Sequence, residues 1–155
     1  MSMSTEEVIA AGQKYVMNTY GRLPIVIDKG EGCYVWDLDG NRYLDLVAGI
    51  AVNSLGHSHP AVTKAIQEQC GKLLHCSNLY WIENQVKLAK LLVEKSGLGK
   101  AFFCNSGAEA NEAAIKLARK WGNGEKYHII TMQKSFHGRT LGSLAATAQE
   151  KYQKA

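Results

Sequence analysis

The sequence predicts an α/β fold, and three observations carry that prediction. AFFCN (101–105) and YHIITM (127–132) are short, continuous apolar runs of the kind that fill strands buried on both faces. Between them, SGAEANEAAIKLARKWG places Ala110, Ala113, Ala114, Leu117, Ala118 and Trp121 at steps of three and four, a single apolar helical face. Strand, helix and strand in that order form a right-handed crossover between parallel strands.

The elements before this unit follow from local chemistry. Ser4 and Glu7 have capping-box spacing ahead of VIAAGQKYV, which predicts a short opening helix. In CYVWDLDGNRYLDL, alternating Tyr34, Trp36 and Leu38 run into Asp39-Gly40, and Tyr43 and Leu44 follow. Asp-Gly takes the positive φ angles of a tight hairpin, so two antiparallel strands are expected. Pro60 suits the first position of a helix that continues through Val62, Ala65, Ile66 and Gln69. LLHCSNLYWIEN is aromatic and irregular, and VKLAKLLVEKSGLG is a further helix that Gly97 can end in a left-handed cap.

Composition narrows the function classes. A hydrophobic content of 46% with 21% charged residues is that of an ordinary globular chain, and 155 residues suffice for one domain. The net charge is +4, but the 18 basic residues are interspersed with 14 acidic ones and form no stripe, which argues against nucleic acid. No apolar run reaches the roughly 20 residues of a membrane span, and the acidic N-terminal segment is unlike a signal peptide, so a cytoplasmic protein is expected. Cys33, Cys70, Cys76 and Cys104 show no CxxC pair, so they suggest neither a zinc site nor a disulfide framework. His57-Ser58-His59 lacks a third metal ligand type and is followed at once by Pro60; hydrogen bonding near a turn accounts for it better than a metal.

Two places could carry chemistry. At Asn105-Ser106-Gly107-Ala108-Glu109, Ser106 is an N-cap, and the next two residues are too small to shield the first helix amides. Those amides sit at the positive end of the helix dipole and suit a dianionic phosphate. The same pattern also describes a plain capped helix. It contains neither a Gly-Lys-Ser/Thr triplet nor GxGxxG, so a monophosphate fits better than a nucleotide. The second place is Lys134 to Thr140, after the second run. Loops leaving neighbouring strands of an open α/β sheet converge on one crevice, which would bring Phe136, His137 and Arg139 beside the 106–108 turn. Phe136 could then stack on a planar heterocycle and Arg139 could bind a carboxylate, although for an isolated FHGRT core packing of Phe136 and a solvated Arg139 are the favoured explanation.

Together these segments resemble the class III, or ω-amino-acid, aminotransferases. YGRLPIVIDKGEGCYVWDLDGNRYLDLVAGIAVNSLGHSHP, HCSNLY, FFCNSGAEANEAAIKLARKWG and SFHGRT occur in that family's order and cover nearly the whole chain from about Tyr15. AGIAV before LGHSHP, with NSGAEANEAAIKLAR, is most similar to the acetylornithine branch; ornithine, succinylornithine and 4-aminobutyrate branches are the alternatives. The resemblance implies pyridoxal 5'-phosphate as cofactor, amino acid and 2-oxo acid substrates, a homodimer, and the N-terminal part of a fold-type I transferase. Residues 1–55 would contribute to its small domain, and residues 56–155 would begin its large domain with a mainly parallel sheet. By the same resemblance, Ser106, Gly107 and Ala108 hold the cofactor phosphate, Phe136 stacks on its ring with His137 close by, Arg139 grips the substrate α-carboxylate, and Tyr20 lines the substrate entrance. Family members are more than twice as long, and TAQEKYQKA reads as a cut end. No lysine here lies in a segment resembling the family's cofactor-lysine motif, so no catalytic residue is expected in this chain and it is expected to be inactive alone.

Overall fold

A computed structural model describes residues 3–153, which fall into two compact units divided between Ser77 and Asn78.

The first unit opens with α1 (Thr5–Tyr15). Its capping box is formed as expected: Ser4 Oγ accepts from the Glu7 amide at 3.2 Å, and the Glu7 carboxylate accepts from the Ser4 amide at 2.8 Å. A three-stranded antiparallel sheet follows, with β1 (Ile27–Glu31), β2 (Tyr34–Asp37) and β3 (Arg42–Leu44) in that order. The hairpin is present, but only Gly40 of the Asp39-Gly40 pair has positive φ. A polar clasp closes the turn: Asp37 accepts from the Asn41 amide at 2.8 Å, from Asn41 Nδ2 at 3.0 Å and from the Tyr43 hydroxyl at 2.8 Å. These bonds, led by that from the Asn41 side chain, hold the Asp37 carboxyl below its ordinary pKa.

Beyond β3, Asp45 organises the chain. One oxygen accepts from the amides of Val47 and Ala48, both at 2.9 Å, and the other accepts from His57 Nε2 at 2.7 Å. The His57 bond is the main reason the Asp45 pKa is lowered. The amides restrain α2 (Ala48–Ala51), a single turn in which all four residues have positive φ, a conformation that is sterically costly for Ile50. His57 is thereby held by Asp45 on one ring nitrogen, with Asn53 Nδ2 3.4 Å from the other. Helix α3 (Pro60–Cys70) starts at its proline as expected.

The second unit contains α4 (Glu83–Ser96), α5 (Gly107–Trp121), α6 (Leu141–Ala146) and α7 (Glu150–Gln153). Gly97 ends α4 in the left-handed conformation, φ 73°, as its position suggested. The two apolar runs depart from expectation. Neither 101–105 nor 127–132 belongs to a ladder, and among the described residues no parallel sheet forms; one isolated parallel bridge joins Gln133 to Ala148. A strand exists only through hydrogen bonds to a neighbour, and these runs have none. The expected sheet-facing stripe of α5 is correspondingly uncovered, with Leu117 69% and Trp121 79% exposed, as is Ile130 at 95%.

No apolar side chain among the described residues is fully buried. The exposed area is 13667 Å². A folded monomer of this mass would expose about 7,700 Å², and two independent units of half the mass about 9,300 Å² together. Local hydrogen bonding and capping define these elements, while most of their apolar surface lies uncovered. No helix among the described residues is long and apolar enough to cross a membrane.

Candidate functional site

The second unit brings the two sequence-singled loops together. Ser106 is extended at φ −154°, and its Oγ accepts from the Glu109 amide at 3.2 Å. The Glu109 carboxylate reaches back past the cap to the Asn105 amide at 2.6 Å. This consumes two of the donors at the start of α5. The amides of Gly107 and Ala108 have no acceptor among the described residues, and a side chain built at Gly107 would meet nothing within 4 Å. Two N–H groups without an acceptor among the described residues, at the positive end of a 15-residue helix, suit an anion such as a phosphate monoester.

The Lys134–Thr140 loop lies directly on this turn. Gly138, at φ +129°, is so close that a Cβ there would stand 2.8 Å from Ala108 Cβ and 2.6 Å from Ser143 Oγ. Asn111 Nδ2 donates to the His137 carbonyl at 2.6 Å. Glu112 accepts from the Thr140 hydroxyl at 2.5 Å and from the Ser143 amide at 3.1 Å. The Thr140 bond is the first of the causes that hold the Glu112 pKa below its ordinary value. Fully buried Thr147 completes the frame, accepting from the His137 amide at 2.9 Å and donating to the Ser143 carbonyl at 3.1 Å.

Phe136 leaves this frame with 54% of its surface exposed, enough of its ring to meet a planar ligand beside its Tyr152 and Arg139 neighbours. His137 is fixed through its backbone, with Nδ1 3.3 Å from Ser135 Oγ. The Arg139 guanidinium lies 5.9 Å from the Phe136 centroid and 5.4 Å from that of Tyr152. Ser106, Gly107, Ala108, Phe136, His137 and Arg139 therefore share one region of the second unit. Tyr20 belongs to the first unit, half exposed in the segment between α1 and β1.

Sequence reasoning missed Asn111, Glu112, Ser143 and Thr147, which join the two loops. A signal was present for some of them. Asn111 and Glu112 are the polar interruption of an alanine-rich helix, and Thr140 stands three residues before Ser143, the spacing of the capping box that opens α6.

The unpartnered amides, the half-exposed phenyl ring and the guanidinium fit a ligand carrying a phosphate and an aromatic plane, with a carboxylate as partner for the arginine. Acetylornithine aminotransferase of Caldanaerobacter subterraneus is 60% identical over 151 residues, covering 95% of this chain and 38% of that protein. The crystal structure of taurine:2-oxoglutarate aminotransferase from Bifidobacterium kashiwanohense, in complex with PLP and glutamate, superposes with a TM-score of 0.89 at 33% identity, over 98% of this chain and 35% of that one. For acetylornithine aminotransferase of Elizabethkingia anophelis the TM-score is 0.76 at 35% identity, over 83% of this chain and 33% of the other. The backbone thus follows part of a fold-type I aminotransferase, including the two runs whose strands are unpaired here. The chain spans about 38% of the length of the curated relative it matches. Because the aminotransferase class-III model matches residues 15–155, the chain belongs to the class III aminotransferases.

Proposed function

We propose that this chain is the N-terminal part of an acetylornithine aminotransferase, which transfers the side-chain amino group of N-acetylornithine to 2-oxoglutarate in arginine biosynthesis. The observation that carries the proposal is the meeting of the unpartnered Gly107 and Ala108 amides with the Phe136–Arg139 loop across the Gly138–Ala108 contact. The 60% identity to an acetylornithine aminotransferase supports the branch.

In this reading the cofactor is pyridoxal 5'-phosphate, which supplies the electron sink for the substrate carbon. The chain's own residues bind and orient. The Gly107 and Ala108 amides take the phosphate, with Ser106 shaping the turn. Phe136 covers one face of the ring, with His137 beside it, and Arg139 presents its fork of donors to the substrate α-carboxylate. Tyr20 lines the substrate entrance. Residues 1–55 contribute to the small domain and residues 56–155 to the large one, in a cytoplasmic homodimer. The lysine that holds the cofactor covalently and moves the proton lies outside these 155 residues, so the chain alone does not transaminate.

The test is an amino-donor panel for the full-length protein with 2-oxoglutarate, following glutamate. The largest kcat/KM is expected for N-acetylornithine. A larger value for ornithine, succinylornithine or 4-aminobutyrate would reassign the branch, and no glutamate from any donor would overturn the aminotransferase reading.

A further inference from the structure

Tyr152 touches two of the side chains given ligand roles above, yet has none itself. Its ring meets the Phe136 ring edge-on, centroids 5.7 Å apart and planes at 68°, and the Arg139 guanidinium lies 5.4 Å from its centroid. Arg139 thus has an aromatic ring at 5.4 Å and another at 5.9 Å. The Tyr152 backbone is anchored to the same loop: in the turn before it, Gln149 Nε2 donates to the Ser135 carbonyl at 3.1 Å, and the Lys134 amide donates to the Ala148 carbonyl at 2.9 Å. Cations surround the phenol, whose pKa is lowered first by Lys151 and also by Arg139.

A guanidinium is planar, weakly hydrated and stacks on aromatic faces, and an arginine that must meet a carboxylate gives up much of its rotamer freedom on binding. An arginine already restrained by two rings surrenders less at that moment. We propose that Tyr152 is a positioning residue: its ring, together with that of Phe136, pre-orients the Arg139 guanidinium for the substrate carboxylate. The inference rests on Arg139 as the carboxylate anchor and deepens that reading.

The test uses the full-length holoenzyme and N-acetylnorvaline, which carries the α-carboxylate and acyl group but no side-chain amine, so it binds without turning over. Dissociation constants are measured calorimetrically for the parent enzyme, Tyr152→Leu, Tyr152→Phe, Arg139→Lys and the double variant Arg139→Lys/Tyr152→Leu. Tyr152→Leu is expected to weaken binding roughly three- to tenfold, as loss of a cation–π partner does, and Tyr152→Phe to weaken it less, because the ring remains while only the phenol's hydrogen bond with Arg139 is lost. In the Arg139→Lys background, where no planar group is left to stack, Tyr152→Leu should add less than about twofold. KM for N-acetylornithine should rise in the same order with kcat within about twofold, the mark of lost binding common to ground and transition states.

Equal losses from Tyr152→Leu in both backgrounds, or a loss in Tyr152→Phe as large as that in Tyr152→Leu, would overturn the proposal. Arg139→Lys binding as tightly as the parent would instead overturn the carboxylate role of Arg139, so the two failures are distinguishable.

Discussion

Gly138 is in direct contact with Ala108: a Cβ at position 138 would come within 2.8 Å of the Ala108 Cβ and 3.1 Å of its Cα. This contact lets the loop bearing Phe136 and Arg139 lie on the helix turn whose amides are free. Gly138→Ala adds both a steric overlap and an unfavourable φ of +129°. Strain of this kind costs about 1–3 kcal/mol, so roughly five- to 150-fold weaker cofactor binding is expected if the strain is relieved by lifting the loop. Fluorescence titration of the full-length apoenzyme with pyridoxal phosphate measures it. Affinity within about twofold of the parent would show that the contact does not set the site.

Glu112 is the polar bolt between α5 and the same loop, accepting from Thr140 and Ser143. Glu112→Gln preserves shape and an oxygen like the one on which both bonds converge but removes the charge that strengthens them, and Glu112→Ala removes that shared acceptor altogether. Lower cofactor affinity is expected in the order parent, Gln, Ala, with the Thr140 and Ser143 amides exchanging faster with solvent deuterium. Unchanged exchange at both amides in the alanine variant would contradict this role.

Phe136 acts through its ring. Phe136→Tyr should keep cofactor affinity, and Phe136→Leu should reduce it roughly three- to tenfold, since a stacked aromatic contributes about 0.5–1.5 kcal/mol beyond its area. The cofactor dissociation rate after dilution distinguishes the two variants, and equal rates would remove the stacking role.

Among the described residues four carboxyl groups have lowered pKa values, and three of them serve the turns and the loop described above: Asp37 through Asn41, Asp45 through His57 and Glu112 through Thr140, the fourth being Glu83 through Lys87. A folded-state pKa below the unfolded one gives stability that is complete above the unfolded value and lost as pH falls through the folded value. The ordinary values are 3.8 for the aspartates and 4.5 for the glutamates, so each group should titrate below its own reference and the associated stability should fade on acidification past it. Carbon-detected carboxyl titration is the check. Midpoints at or above those references would contradict the hydrogen bonding described here.

The 155-residue chain by itself should bind a hydrophobic dye strongly and self-associate, because its apolar residues form no buried core among those described. It should also produce no glutamate from N-acetylornithine and 2-oxoglutarate. A monodisperse, dye-negative monomer would contradict the first expectation, and measurable turnover the second.

The sequence by itself determined whatever depends on near neighbours in the chain. The Ser4–Glu7 capping box, the Pro60 start of α3, the Gly97 cap of α4 and the Ser106 cap of α5 are all satisfied within a few residues, and each lies where local chemistry put it. The family motif and the two site loops were legible for the same reason. Tertiary structure alone decided how those loops meet. Asn111 and Glu112 read as ordinary helix positions until folding sets His137, Thr140 and Ser143 against them, and Tyr152 gains meaning only from Phe136 and Arg139 beside it. The apolar runs at 101–105 and 127–132 mark the opposite case. Their apolar composition was readable, but a strand is completed by donors and acceptors on a neighbouring segment, and among the described residues neither run has that neighbour.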